Sequence, residues 1–62
     1  MSDKNILGDT LVVELHMDMA VAACEAAKEF IKKGETGKAK HEIDKVLLEL
    51  QEARMLFKKI TK

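Results

Sequence analysis

The chain has one cysteine, no proline, no tryptophan and no tyrosine, and its acidic and basic side chains cancel. Each shortage removes a class of protein. A single thiol, Cys24, forms no internal disulfide, so a disulfide-stapled secreted scaffold is excluded. One cysteine and two histidines, His16 and His41, fall short of the four ligands of a structural zinc site. Eleven Lys and Arg against eleven Asp and Glu give no net charge, whereas nucleic-acid binding draws most of its affinity from neutralising phosphates. No apolar run approaches the roughly 20 residues of a membrane span. The opening "MSDKNILG" lacks the charged and then apolar signature of a signal peptide, so the expected location is the cytoplasm. There is no Gly-rich phosphate loop, no Ser/His/Asp set and no carboxylate pair with an evident shared cleft. No catalytic residue, no cofactor and no enzyme activity is therefore expected.

Ala, Leu, Lys and Glu dominate, which is a helical composition. The pattern predicts one all-α domain over residues 1–62. Helix 1 runs from about 10 to 33, a turn covers 34–37 and helix 2 runs from about 38 to 60, with 1–9 a flexible N-terminus. Asp9 or Thr10 suits the N-cap of helix 1. Gly34, in "GETG", suits the left-handed position that ends it, and Thr36 suits the cap of helix 2.

In helix 2 the apolar residues Ala39, Ile43, Val46, Leu50, Ala53, Phe57 and Ile60 recur at steps of four and three, a seam of coiled-coil spacing. Leu47 and Arg54 flank it. Glu42, Asp44, Lys45, Glu49, Glu52 and Lys59 lie off the seam, toward solvent. Helix 1 carries two stripes: Val12, Leu15, Met19, Ala22, Ala26, and beside it His16, Ala20, Ala23, Ala27, Phe30. A helix with two adjacent seams meets two neighbours, and a hairpin supplies one. The second neighbour is expected to be another copy, giving a homodimer or higher oligomer built as a four-helix bundle. So short a chain buries only about 60% of its unfolded surface, which also favours a partner. The predicted hairpin core is Ala27, Phe30, Ala39, Ile43, Val46, Leu50, Ala53, Phe57 and Ile60. The predicted oligomer interface is Val12, Leu15, His16, Met19, Ala20, Ala22, Ala23, Ala26, Leu47 and Arg54.

A second period competes in "VELHMDMAVAAC". Val13, Leu15, Met17 and Met19 alternate with polar residues, as in a half-exposed strand. A strand at 11–17 followed by two helices resembles the ribbon–helix–helix DNA-binding proteins, whose paired strands enter the major groove. That resemblance implies a DNA-binding regulator reading bases with Val12, Glu14 and His16. Base readers are Arg, Lys, Asn or Gln, and Glu14 with Asp18 has the wrong sign for phosphate. The helical reading is preferred, and nucleic acid is not the expected partner.

The stretch "AKEFIKKGETGKAKHEIDK", residues 27–45, is similar to the helix–turn–helix of tetratricopeptide repeats at Gly34, Glu35, Lys38, Ala39 and Ile43. Thr36 replaces the usual aromatic, and no proline closes the unit. The same stretch resembles a helical hairpin of flagellar export chaperones. Both resemblances imply an adaptor-like or chaperone-like scaffold that binds another protein.

His16 is the residue with chemistry to spare. It is either a metal ligand or pH switch in a bundle core, or a hydrogen-bonded core or interface histidine, and the second is preferred. The Glu-x-x-His pattern of di-iron bundles is absent. His41 falls on the outer face of helix 2, about 20 Å along the hairpin from His16 at 1.5 Å per residue. Cys24 is expected as a buried, inert thiol, because it lies mid-helix beside Glu25, far from the positive surroundings that stabilise a thiolate. Met17 and Met19 are expected as core or interface filling. Lys58, Lys59 and Lys62 complement a helix C-terminus.

Overall fold

The computed structural model describes residues 2–61, with side chains from Gly8 onward. Two antiparallel helices, α1 (Ser2–Lys32) and α2 (Thr36–Ile60), make up the fold. They form a narrow rod, 50 × 14 × 11 Å. No strand occurs among the described residues, and residues 11–17 are helical. The ribbon arrangement is thereby overturned. The alternation of Val13, Leu15, Met17 and Met19 is a by-product of helical geometry. Val13 turns inward, while Leu15, Met17 and Met19 stay exposed on other faces.

α1 begins at Ser2 rather than near residue 10. Asp9 and Thr10 therefore lie inside the helix and are not its cap. Gly8 interrupts nothing, since one glycine costs a helix only about 1 kcal/mol. At the other end the expected stop holds. Gly34 has φ +77°, the left-handed region that glycine enters without strain. Its N–H donates to the Ile31 carbonyl at 3.0 Å, and the Glu35 N–H donates to the Phe30 carbonyl at 2.9 Å. This pair of bonds is the Schellman arrangement.

The cap of α2 differs from expectation. Glu35, not Thr36, holds the cap position, and no side chain bonds the free N–H groups there. Glu35 instead pairs with Lys38 at 3.0 Å, and the Lys38 ammonium stands 5.7 Å from the centre of the Phe30 ring. Lys38 thus ties the turn to the end of α1 through one carboxylate and one aromatic face.

The core between the helices is built from small residues. Val13, Ala20, Ala23 and Ala27 of α1 and Ala39 and Ala53 of α2 are buried. His16 and Phe30 join them half-buried from α1. From α2 come Glu42, Val46, Glu49, Leu56 and Ile60, also half-buried. The inward seam of α2 is thus 39, 42, 46, 49, 53, 56, 60. It shares Ala39, Val46, Ala53 and Ile60 with the predicted seam and replaces the other three members. Ile43, Leu50 and Phe57, predicted in the hairpin core, are 45%, 44% and 51% exposed. Glu42 and Glu49, predicted in solvent, face inward. The exchanged positions are adjacent residues, about 100° apart on the helix wheel, while the four shared positions stay in place, so a rotation of α2 by about half that angle exchanges the seams. Ala20 and Ala23, predicted at an oligomer interface, are buried inside the hairpin, because the alanine face of α1 is the one narrow enough for α2 to approach closely.

Two glycines give a test. Gly34→Ala places a side chain in the left-handed region and lowers stability by about 1 kcal/mol. Gly37 lies in α2, and a Cβ there meets nothing within 4 Å. Gly37→Ala therefore raises stability by several tenths of a kcal/mol. Urea unfolding midpoints of the two variants should move in opposite directions.

Candidate functional site

Antiparallel packing gives the rod two broad faces, and they differ in chemistry. On the first, Met17, Cys24 and Ile31 of α1 run at seven-residue spacing beside Ile43, Leu50 and Phe57 of α2. Cys24, Ile31, Ile43 and Val46 line one shallow groove there, and Met17, Leu50 and Phe57 line the next. The large side chains of this face are 44% to 57% exposed. Leu47, at its α2 margin, is also exposed. Cys24 is exposed, contrary to the buried thiol expected. It sits one helical step outside the Ala20–Ala27 line, where the described residues leave it exposed.

The second face is mixed. α1 contributes Met19, Ala22 and the edge of Ala23, and α2 contributes Glu42, Lys45 and Glu49. Further along, His16 shares a groove with Glu52, Met55, Leu56 and Lys59. Val12, Leu15, Met19 and Ala22 are exposed and Ala26 is half-buried. They form a second apolar stripe confined to α1. Arg54 is exposed on the first face and His41 on the outer side of α2. Lys58 and Lys59 occupy the last turn of α2. Among the described residues no helix is long and apolar enough to cross a membrane.

Among the described residues, one cluster of metal-ligating side chains joins the helices. His16 Nδ1 lies 2.5 Å from Glu49 Oε1, and His16 Nε2 lies 3.5 Å from Glu52 Oε2. Glu49 and Glu52 are three residues apart, so both reach the same side of α2. The side chains of His16 and Glu49 are 19% and 16% exposed, whereas Glu52 is 47% exposed. The cluster thus has a sheltered end and a wet end. An ionised carboxylate offers only acceptors, so against it Nδ1 is the donor of the short bond. One ligand atom from each of the three residues lies within 4.8 Å of the others. The sequence singled out His16 but not its partners. Glu49 and Glu52 belong to the other helix, and the rotation of α2 that brings Glu49 inward opposes the apolar pattern.

The His16–Glu49 bond has a measurable signature. His16→Leu leaves the sheltered Glu49 carboxylate without that donor and costs about 1 kcal/mol after screening by nearby water. Replacing both with leucine removes the unmet group and restores or exceeds the original stability. A double-mutant cycle by urea unfolding checks the non-additivity.

No protein family, no curated protein and no solved structure matches the chain.

Proposed function

We propose that this chain is a non-enzymatic protein-interaction module that works as a homo-oligomer. Two hairpins pack through their apolar faces into a four-helix bundle. The observation that carries this reading is the exposed row of Met17, Ile31, Ile43, Leu50 and Phe57, set against a core in which, among the described residues, no large side chain is fully buried. Burying a Leu, Ile, Phe or Met side chain is worth about 1.5–3 kcal/mol. Three such side chains left half in water on α2 forgo more than the roughly 1 kcal/mol returned by a hydrogen bond such as His16–Glu49. A rotation that exposes Ile43, Leu50 and Phe57 is therefore favourable when something covers them.

A second copy is the occupant that suits the face. Both helices present apolar residues at seven-residue spacing, the repeat needed for side-by-side helix packing. The charges bordering the grooves of this face are two cations, Lys28 and Arg54, and pairing keeps their charged ends apart and in water. Pairing there leaves the α1 stripe of Val12, Leu15, Met19, Ala22 and Ala26 free to receive an apolar helix of another protein, with Ala22 and Ala26 small enough for close approach. Such an arrangement is that of an adaptor or a helical chaperone.

Sedimentation equilibrium of the chain at micromolar concentration should give at least twice the monomer mass. Leu50→Glu, which puts a charge in the middle of the face, should shift the mass toward the monomer and lower the helical signal. Cys24 offers a readout without mutation. Exposed in a single chain, it should react with an aromatic disulfide reagent several-fold more slowly as protein concentration rises and the face is covered. A folded chain of monomer mass with a uniformly fast thiol would sink the reading.

A further inference from the structure

The apolar face leaves the His16 cluster unexplained, because the cluster opens on the other side of the rod. Its geometry separates the two ring nitrogens. Against an ionised Glu49, Nδ1 is the donor to Glu49 Oε1 at 2.5 Å. In the neutral ring Nε2 then carries a lone pair, and Nε2 lies 3.5 Å from Glu52 Oε2. That separation is long for a hydrogen bond. Beside a neutral ring these two acceptors repel, and a shared cation, either a proton on Nε2 or a metal ion, relieves that repulsion. Two ligand atoms on one tetrahedral zinc ion, with bonds of about 2.0–2.1 Å, stand about 3.3 Å apart, close to the spacing found here. A carboxylate on the far ring nitrogen is the companion that metal-binding histidines have, and it fixes the tautomer that leaves the ligating nitrogen unprotonated.

We infer that His16 Nε2 and Glu52 form a site for a borderline divalent cation of the Zn2+ type, with Glu49 as the positioning residue on Nδ1. One imidazole nitrogen and one carboxylate oxygen come from the chain, and water fills the remaining positions. This donor set suits zinc and its neighbours rather than calcium, which takes oxygen ligands alone. The ion displaces solvent beside a neutral ring, or the proton of a charged ring, which leaves to solvent. Glu52, 47% exposed, gives the ion a route in. Lys59, in the same groove, competes for Glu52 and sets an upper limit on affinity. The cluster joins α1 to α2, so a bound ion clamps the two helices midway along their length.

The test is a Zn2+ titration of the full chain, read at the imidazole nitrogens by two-dimensional 1H–15N spectra and as heat by calorimetry. The expected result is a shift of the His16 Nε2 resonance with Nδ1 still protonated, at one ion per chain. Glu52→Gln should weaken binding at least tenfold. Glu49→Gln should weaken it by about ten- to a hundredfold, as loss of an orienting partner does, and should let the ring populate the other tautomer in the metal-free protein. His41→Gln and Cys24→Ser should leave affinity unchanged. Far-UV circular dichroism confirms that each variant keeps its helix, and the solvent-facing Glu52→Gln serves if the Glu49 variant loses it. A His16 Nε2 resonance that stays put in tenfold excess Zn2+ overturns the inference. So does binding that survives Glu52→Gln, or binding lost with His41 or Cys24. The readouts are taken per chain and on the face away from Leu50, so this inference and the oligomer reading fail separately.

Discussion

The structure depends on an asymmetry of side-chain size between the helices' meeting line and everything around it. The residues buried between α1 and α2 are five alanines and one valine. Alanine lets two helices approach closely and loses no rotamer freedom when buried. It also brings little apolar area out of water. The interface within the chain is therefore tight and energetically thin at once, while the larger apolar side chains stand at its borders. Stability of a domain grows with apolar area buried, so a hairpin with this distribution is half of a packing problem.

The borders differ because α2 is not apolar on both sides of its inward line. On one side stand Ile43, Leu50 and Phe57, and on the other Lys45, Glu52 and Lys59. α1 is apolar on both sides, with Met17, Cys24 and Ile31 on one and Val12, Met19 and Ala26 on the other. Antiparallel pairing places the apolar side of α2 next to Met17, Cys24 and Ile31, and the charged side next to Met19. One face becomes uniformly apolar and the other mixed. The polar groups of the mixed face gather around His16, a half-buried polar side chain near the middle of α1. The same rotation of α2 that turns Glu49 toward His16 turns Leu50 outward, so the apolar face and the His–Glu cluster are two results of one rotation. The proposed oligomer and the proposed cation site rest on that shared geometry from opposite sides of the rod.

Much of the architecture was legible in the residues. The long breaker-free segments and the helix-forming composition indicated two helices. "GETG" marked the stop, and Gly34 adopts the left-handed conformation expected of it. Ala27, Ala39 and Ala53 were placed in the core and are buried there. The strand alternation misled only in appearance, since a period of two over seven residues also fits a helix whose apolar arc is wide. The choice between Ile43, Leu50, Phe57 and Glu42, Glu49, Leu56 as inward partners was not legible. Apolar periodicity assigns the first set to a core without saying whose core it is. Similarly, Asp9, Thr10 and Thr36 have side chains suited to capping, but a cap is used only where the helix in fact ends.

The sequence by itself determined the local features: which segments coil, where the chain turns, and that α1 has more apolar surface than one neighbour covers. These follow from backbone propensity, glycine's freedom at positive φ and spacing along one helix, all of which act within a few residues. Tertiary structure alone decided the rotation of α2 about its own axis. That rotation selects one of two nearly equivalent seams, brings Glu49 and Glu52 to a histidine more than thirty residues away, and turns three large apolar residues outward. Its physical cause is the packing of side chains from both helices at once, a balance that no single stretch of sequence contains.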